Sequence, residues 1–136
     1  MKRIKESSTL VIDDVGQEYD PTSVVEEMEQ EWPEMTEEFR KIQQEQYVLF
    51  LHKQHDYGPG NISVGTNLQT KEEVKLSLTG LWFRMNDKLQ RVKTLLLGEK
   101  KSVVKDEPLE DAYLDISNYG IMATIVKNGK WGKWKE

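Results

Sequence analysis

Two stretches carry residues whose types and spacing could do chemistry: Gly80-Leu-Trp-Phe-Arg-Met-Asn-Asp-Lys-Leu-Gln-Arg91 and Glu107-Pro-Leu-Glu-Asp-Ala-Tyr-Leu-Asp-Ile-Ser-Asn118. On a helix, Arg84, Asp87, Lys88 and Arg91 share one side, because residues three and four apart are neighbours. Glu107, Asp111, Asp115 and Asn118 do the same on the second stretch. Carboxylates one turn apart can hold Mg2+, which keeps several waters and binds through a few carboxylates plus substrate phosphates. Asp111 and Asp115 have that spacing, and Asp87 is the natural third ligand if the two helices are antiparallel neighbours. Glu110 or Glu107 would serve as an outer ligand or as base for a water. Glu110 and the metal ligand Asp87 are therefore the candidate catalytic carboxylates. Arg84, Lys88 and Arg91 would neutralise phosphate charge and stabilise it as it develops in a displacement. Acidic faces are common, however, and Asp87 can pair with Arg84 or Arg91 on its own helix. Two amphipathic helices joined by ordinary salt bridges fit the same pattern.

A third stretch, Lys53-Gln-His-Asp-Tyr-Gly-Pro-Gly-Asn61, is dense in donors and acceptors for a connector. Tyr57 could stack on a base, Lys53 could meet a phosphate, and Asp56 and Asn61 could frame a base or sugar. Asn118 would join them from the second helix. A capped turn with polar residues accounts for the same composition.

The elements that must position these groups are helical. Thr22 or Ser23 can cap a short helix to about Trp32, with Val24, Val25 and Met28 facing inward, and Pro33 ends it. Thr36 can cap a second helix to about His55, whose inward stripe is Phe39, Ile42, Gln46, Leu49 and Lys53, widened by Tyr47, Phe50 and Leu51. Gly58 can take a left-handed cap position, and Pro59 forbids continuation. Thr66-Asn-Leu-Gln69 and Thr70-Lys-Glu-Glu73 both match the capping-box pattern, so a long helix starts near 67 or 71 and can reach Leu97. Its apolar stripe is Leu78, Leu81, Met85, Leu89, Val92 and Leu96. Pro108 opens the last helix, with Leu109, Ala112, Tyr113, Ile116, Tyr119, Gly120, Ala123 and Val126 buried, and Asn128-Gly129 ends it. Trp131 and Trp134 alternate with lysines in a tail suited to packing or to a subunit contact. Residues 1–20 form a flexible start or an edge strand. The sum is an all-α helical bundle: three long helices plus a shorter N-terminal one.

Composition narrows the classes. At 136 residues the chain suits one core, and without cysteine it can have neither disulfides nor a thiolate site. His52 and His55 are the only histidines, which argues against a Ser-His-Asp hydrolase. No apolar run approaches the roughly 18 residues of a membrane span, and no signal-peptide core is present, so no membrane and a cytoplasmic location are expected. Residues 1–40 hold 12 acidic and 4 basic side chains, within a chain of net charge −5. The remainder is mildly cationic. Duplex nucleic acid is a poor partner for such a chain, but a nucleotide needs only a local cationic patch. Residues 1–35 are expected to be an acidic arm with a short helix, and residues 36–136 a helical nucleotide-binding domain. No P-loop, dinucleotide fingerprint or His-Glu-x-x-His motif is present.

Lys53 to Asn61, Leu81 to Arg91, Glu107 to Tyr119 and the ending Lys130-Trp-Gly132 resemble, in order, the nucleotide modification associated domain 1 family. Its members are small proteins found largely in bacteriophages and their relatives. The resemblance covers about residues 38–132, leaves the acidic arm outside, and implies a role in nucleotide metabolism in the host cytoplasm. More distantly, the chain resembles the all-α nucleotide pyrophosphohydrolases of the MazG and dimeric dUTPase type. In those, a Glu-x-x-Glu helix and a Glu-x-x-Asp helix bind Mg2+ and release pyrophosphate from a nucleoside triphosphate. Asp111 and Asp115 would correspond to the second pair. Arg84-Met-Asn-Asp87 stands where the first pair is expected, with an arginine in place of one carboxylate. The resemblances together imply a homo-oligomeric, Mg2+-dependent (d)NTP pyrophosphohydrolase. A binder without turnover is the alternative, sequestering a nucleotide signal or assisting nucleotide modification. A third reading is an interaction module whose Glu-rich arm mimics nucleic acid charge.

Overall fold

The computed structural model describes residues 11–133 apart from 13, 99 and 106; the expected role of Trp134 lies outside the described residues, as does the side chain of Tyr19. The fold is all-α. Its elements are β1 (Val11–Ile12), β2 (Glu18–Tyr19), α1 (Pro21–Glu31), α2 (Pro33–Tyr57), α3 (Gly60–Ser63), α4 (Lys71–Val92) and α5 (Leu109–Lys127), with a π-helical turn at Lys93–Leu97. The chain divides into two compact units, 1–45 and 46–136.

In the first unit, β1 and β2 pair antiparallel with Val11 opposite Tyr19, so part of the expected edge strand is a minimal hairpin. Asp20, and not Thr22 or Ser23, caps α1: its carboxylate accepts from the Thr22 amide at 2.9 Å. Pro21 sits at the first helical position, where a missing N–H costs nothing. Pro33 does not merely stop α1; it opens α2, three residues before the expected cap. Thr36 is therefore inside the helix, and its hydroxyl donates back to the Trp32 carbonyl at 3.0 Å. Val24, Val25 and Met28 do not face a core. They are 49, 45 and 40% exposed, because they line an open groove between α1 and the start of α2 that no described residue fills. Phe39, expected inward, is 63% exposed in the same groove.

The second unit has the core. Ile62, Leu81, Met122, Val126 and Trp131 are buried together, flanked by Phe50, Leu68, Val74, Leu78 and Tyr119. Fully burying a leucine such as Leu81 stabilises by roughly 1.5–3 kcal/mol. α4 packs along α5, and α3, a four-residue turn absent from the sequence expectation, lies over α4. Ser77, fully buried on α4, donates to the Ile62 carbonyl at 2.7 Å and fastens α3 in place. Of the two capping boxes, only Thr70 to Glu73 starts a helix: the Thr70 hydroxyl accepts from the Glu73 amide, and Glu73 accepts from the Gln69 amide. Thr66 instead closes a turn, donating to the Ser63 carbonyl and accepting from the Leu68 amide.

Gly58 has the left-handed φ of 74° that ends α2, and its amide bonds the Gln54 carbonyl. Val64 takes a left-handed φ of 54° at the end of α3, a costly conformation for a β-branched residue. Trp131 packs edge-on to Phe50 at 5.9 Å and donates to the Pro59 carbonyl at 3.0 Å, so the tail is a packing element of this unit. On α5 the buried face is Ala112, Asp115, Asn118, Met122 and Val126. Tyr113 and Gly120, expected inside, are exposed. Neighbouring stripes on a helix lie close together, and the buried one here takes in two polar residues.

Candidate functional site

Asp115 is 8% exposed and Asn118, one turn later, is 6% exposed. A buried carboxylate demands pairing, and two other helices supply it. Lys53, in the last turns of α2, donates to Asp115 Oδ1 at 3.2 Å. Lys88, on α4, reaches Asp115 Oδ2 at 3.1 Å. Both carboxylate oxygens are therefore engaged by ammonium groups from separate elements. Burial lowers the Lys88 pKa, but the hydrogen bond it donates to Asp115 and the Asp115 charge, with Tyr119 and Glu107 adding, outweigh it and hold the ammonium above the usual lysine range. Lys88 thus stays charged. The two lysine side chains remain 43 and 30% exposed, whereas that of Asp115 is only 11% exposed. Solvent meets the cations first and the carboxylate behind them.

Arg84 stands one turn before Lys88 and donates to Asn61 Oδ1 at 3.1 Å, which ties α4 to α3. Arg91, expected at the phosphate, is engaged elsewhere. Its guanidinium bonds Glu107 Oε2 at 2.9 Å and Ser102 Oγ at 2.9 Å, and also meets the Glu107 carbonyl. Asp56 is exposed and 3.0 Å from His55 Nδ1; Tyr57 is 65% exposed. Asp87, Glu110 and Asp111 are exposed. Glu110 and Asp111 occupy the first turn of α5, where carboxylates stabilise the helix N-terminus.

The structure thus joins Lys53, Lys88 and Asp115, and separately Arg84 and Asn61. Asp87 and Asp111 are not brought to Asp115 as a metal site: among the described residues, no group of three or more His, Asp or Glu is placed to hold a metal. The donor set does not fit Mg2+ as it stands. An ion would have to displace two ammonium groups from the one buried carboxylate, while the other two acids stay in water. Gln54, beside Lys53, has a buried Oε1 with no hydrogen-bond partner among the described residues. No pattern in the sequence marks it.

A family model described as nucleotide modification associated domain 1 matches residues 53–126, more than half of the chain. The chain belongs to the nucleotide modification associated domain 1 family. The matched residues begin at Lys53 and contain the whole Lys53–Asp115–Lys88 cluster, the Asn61–Arg84 pair and Asn118. They leave α1 and most of α2 outside the nucleotide modification associated domain, along with Trp131, which packs onto it. No curated protein and no solved structure matches the chain significantly. Among the described residues, no helix is long and apolar enough to cross a membrane.

Proposed function

We propose that this domain binds a nucleotide through its phosphates at the Lys53–Asp115–Lys88 cluster, without a metal cage of its own. One observation carries the reading: two solvent-accessible ammonium groups converge on a single buried carboxylate, with Arg84 a third cation one turn away. Two positive charges meet one buried negative charge while Arg84, held by Asn61, adds a third nearby on α4, and a phosphate supplies the negative charge that is missing. In the free chain, the two oxygens of Asp115 occupy the lysines as two phosphate oxygens would. Exposed Asp87 and Asp111 weaken the local potential only modestly, because water screens them. Exposed Tyr57 offers a ring face for a base, and the half-buried Asn61 offers an amide for sugar or phosphate, whereas Asn118 is buried. The membership of the family supports a nucleotide over other polyanions.

The test is calorimetric titration of the full chain with a panel of (d)NTPs and monophosphates, with EDTA and with Mg2+. Binding is expected to persist in EDTA. Lys88→Ala should weaken it about tenfold, the equivalent of one charge-assisted contact. Asp115→Asn should preserve or tighten it, because the internal competitor for the lysines is gone. A metal-dependent pyrophosphohydrolase gives the opposite result: ligand handling only with Mg2+, pyrophosphate release, and loss of both in Asp115→Asn.

A further inference from the structure

The acidic hairpin outside the matched family residues has an architecture of its own. Val24, Val25 and Met28 on α1 and Phe39 on α2 line a groove of about 400 Å³, closed at one place by the Glu29–Arg40 ion pair at 3.2 Å. Trp32 and Met35, at the junction of the two helices, are 51 and 58% exposed. Large apolar side chains are rarely left open together on a stable surface unless something covers them. Residues 21–45 also carry eight glutamates against Arg40 and Lys41. The surroundings of this groove are strongly anionic.

We infer that the α1–α2 groove docks a basic amphipathic helix of a partner protein. The apolar floor accepts the helix's apolar stripe, and the glutamates face the cations that flank it; this is helix-in-groove recognition with charge setting the partner. From Val24 to Trp32 the floor runs roughly 12 Å, about two turns of a docked helix. Methionine and aromatic side chains adapt to such a partner. The charge disfavours three other occupants. A second copy of this hairpin would bring eight more glutamates against the first eight. An anionic bilayer or a nucleic acid would be repelled likewise. The inference is independent of nucleotide binding, since no residue of the Asp115 cluster takes part.

The experiment uses the full chain and a fluorescein-labelled helical peptide of leucine and lysine at helical spacing, with a leucine–glutamate peptide as control. Anisotropy should show binding of the lysine peptide alone, weakening as salt rises. Phe39→Ser, at an exposed position, should weaken it at least tenfold. Glu31→Gln with Glu38→Gln should weaken it severalfold and flatten the salt dependence. No binding of the lysine peptide, equal binding of the two peptides, or indifference to Phe39→Ser overturns the inference. So does conversion of an oligomer to monomers by Phe39→Ser while peptide binding stays unchanged, which would assign the groove to self-association.

Discussion

Lys88 Nζ lies 3.1 Å from Asp115 Oδ2, joining α4 to α5 through a carboxylate that is almost out of water. The Lys88 pKa is raised in the folded state, so its favourable contribution is complete below the unfolded lysine value of about 10.4. It is lost as pH climbs through the higher folded value. Lys88→Met should therefore destabilise the chain by about 1 kcal/mol at pH 7. The gap between wild type and variant should narrow steadily above about pH 10.4 and close once Lys88 is neutral. Urea unfolding of both proteins from pH 7 to 11.5 measures it. A gap that stays constant through this range would show that the ion pair contributes nothing.

Arg91 is expected to behave unlike Lys88, although the two share a helix face. Both terminal nitrogens of its guanidinium are engaged by Glu107 and Ser102, which pins the connector between the π-helical turn and α5. Arg91→Met should leave nucleotide affinity within about twofold, which is under 0.5 kcal/mol. It should instead speed tryptic cleavage at Lys100, Lys101 and Lys105, because local opening exposes the connector. Limited proteolysis beside the calorimetric titration separates the two effects. A tenfold loss of affinity with unchanged cleavage would place Arg91 at the phosphate after all.

The existence of the longer helices was legible in the sequence; the faces they bury were not. Thr70 with Glu73 and the glycine at 58 fix ends by local hydrogen bonds and a φ preference, both of which a short window of residues contains. The buried stripe of α5 depends instead on what lies across from it. Two stripes about 100° apart both satisfied the three- and four-residue spacing, and the one holding Asp115 and Asn118 faces inward. The nearness of Asp115 to Lys88 follows from antiparallel neighbours in sequence order. Lys53 comes to Asp115 across 62 residues, and nothing local announces it. That single long-range contact makes the cluster predominantly cationic. In the first unit, apolar periodicity was correct as a pattern and misleading as a sign of burial, since a groove shows the same spacing as a core.

Trp131 lies outside the matched residues yet completes the second unit. It is 6% exposed, packs edge-on to Phe50, and donates to the Pro59 carbonyl at 3.0 Å. Pro59 immediately precedes α3, and α3 carries Asn61, the acceptor for Arg84. Trp131→Ala removes a buried aromatic and should cost about 3–5 kcal/mol, a large share of the stability of a chain this size. Trp131→Phe keeps a ring against Phe50 and forfeits the hydrogen bond, so about 1 kcal/mol beyond the smaller ring is expected. Urea midpoints rank the two variants. Because the tryptophan holds the turn from which α3 starts, Trp131→Phe should also weaken nucleotide binding a fewfold while the chain remains folded by far-UV circular dichroism. Unchanged affinity in a folded Trp131→Phe protein would show that the Asn61–Arg84 pair keeps its position without this anchor.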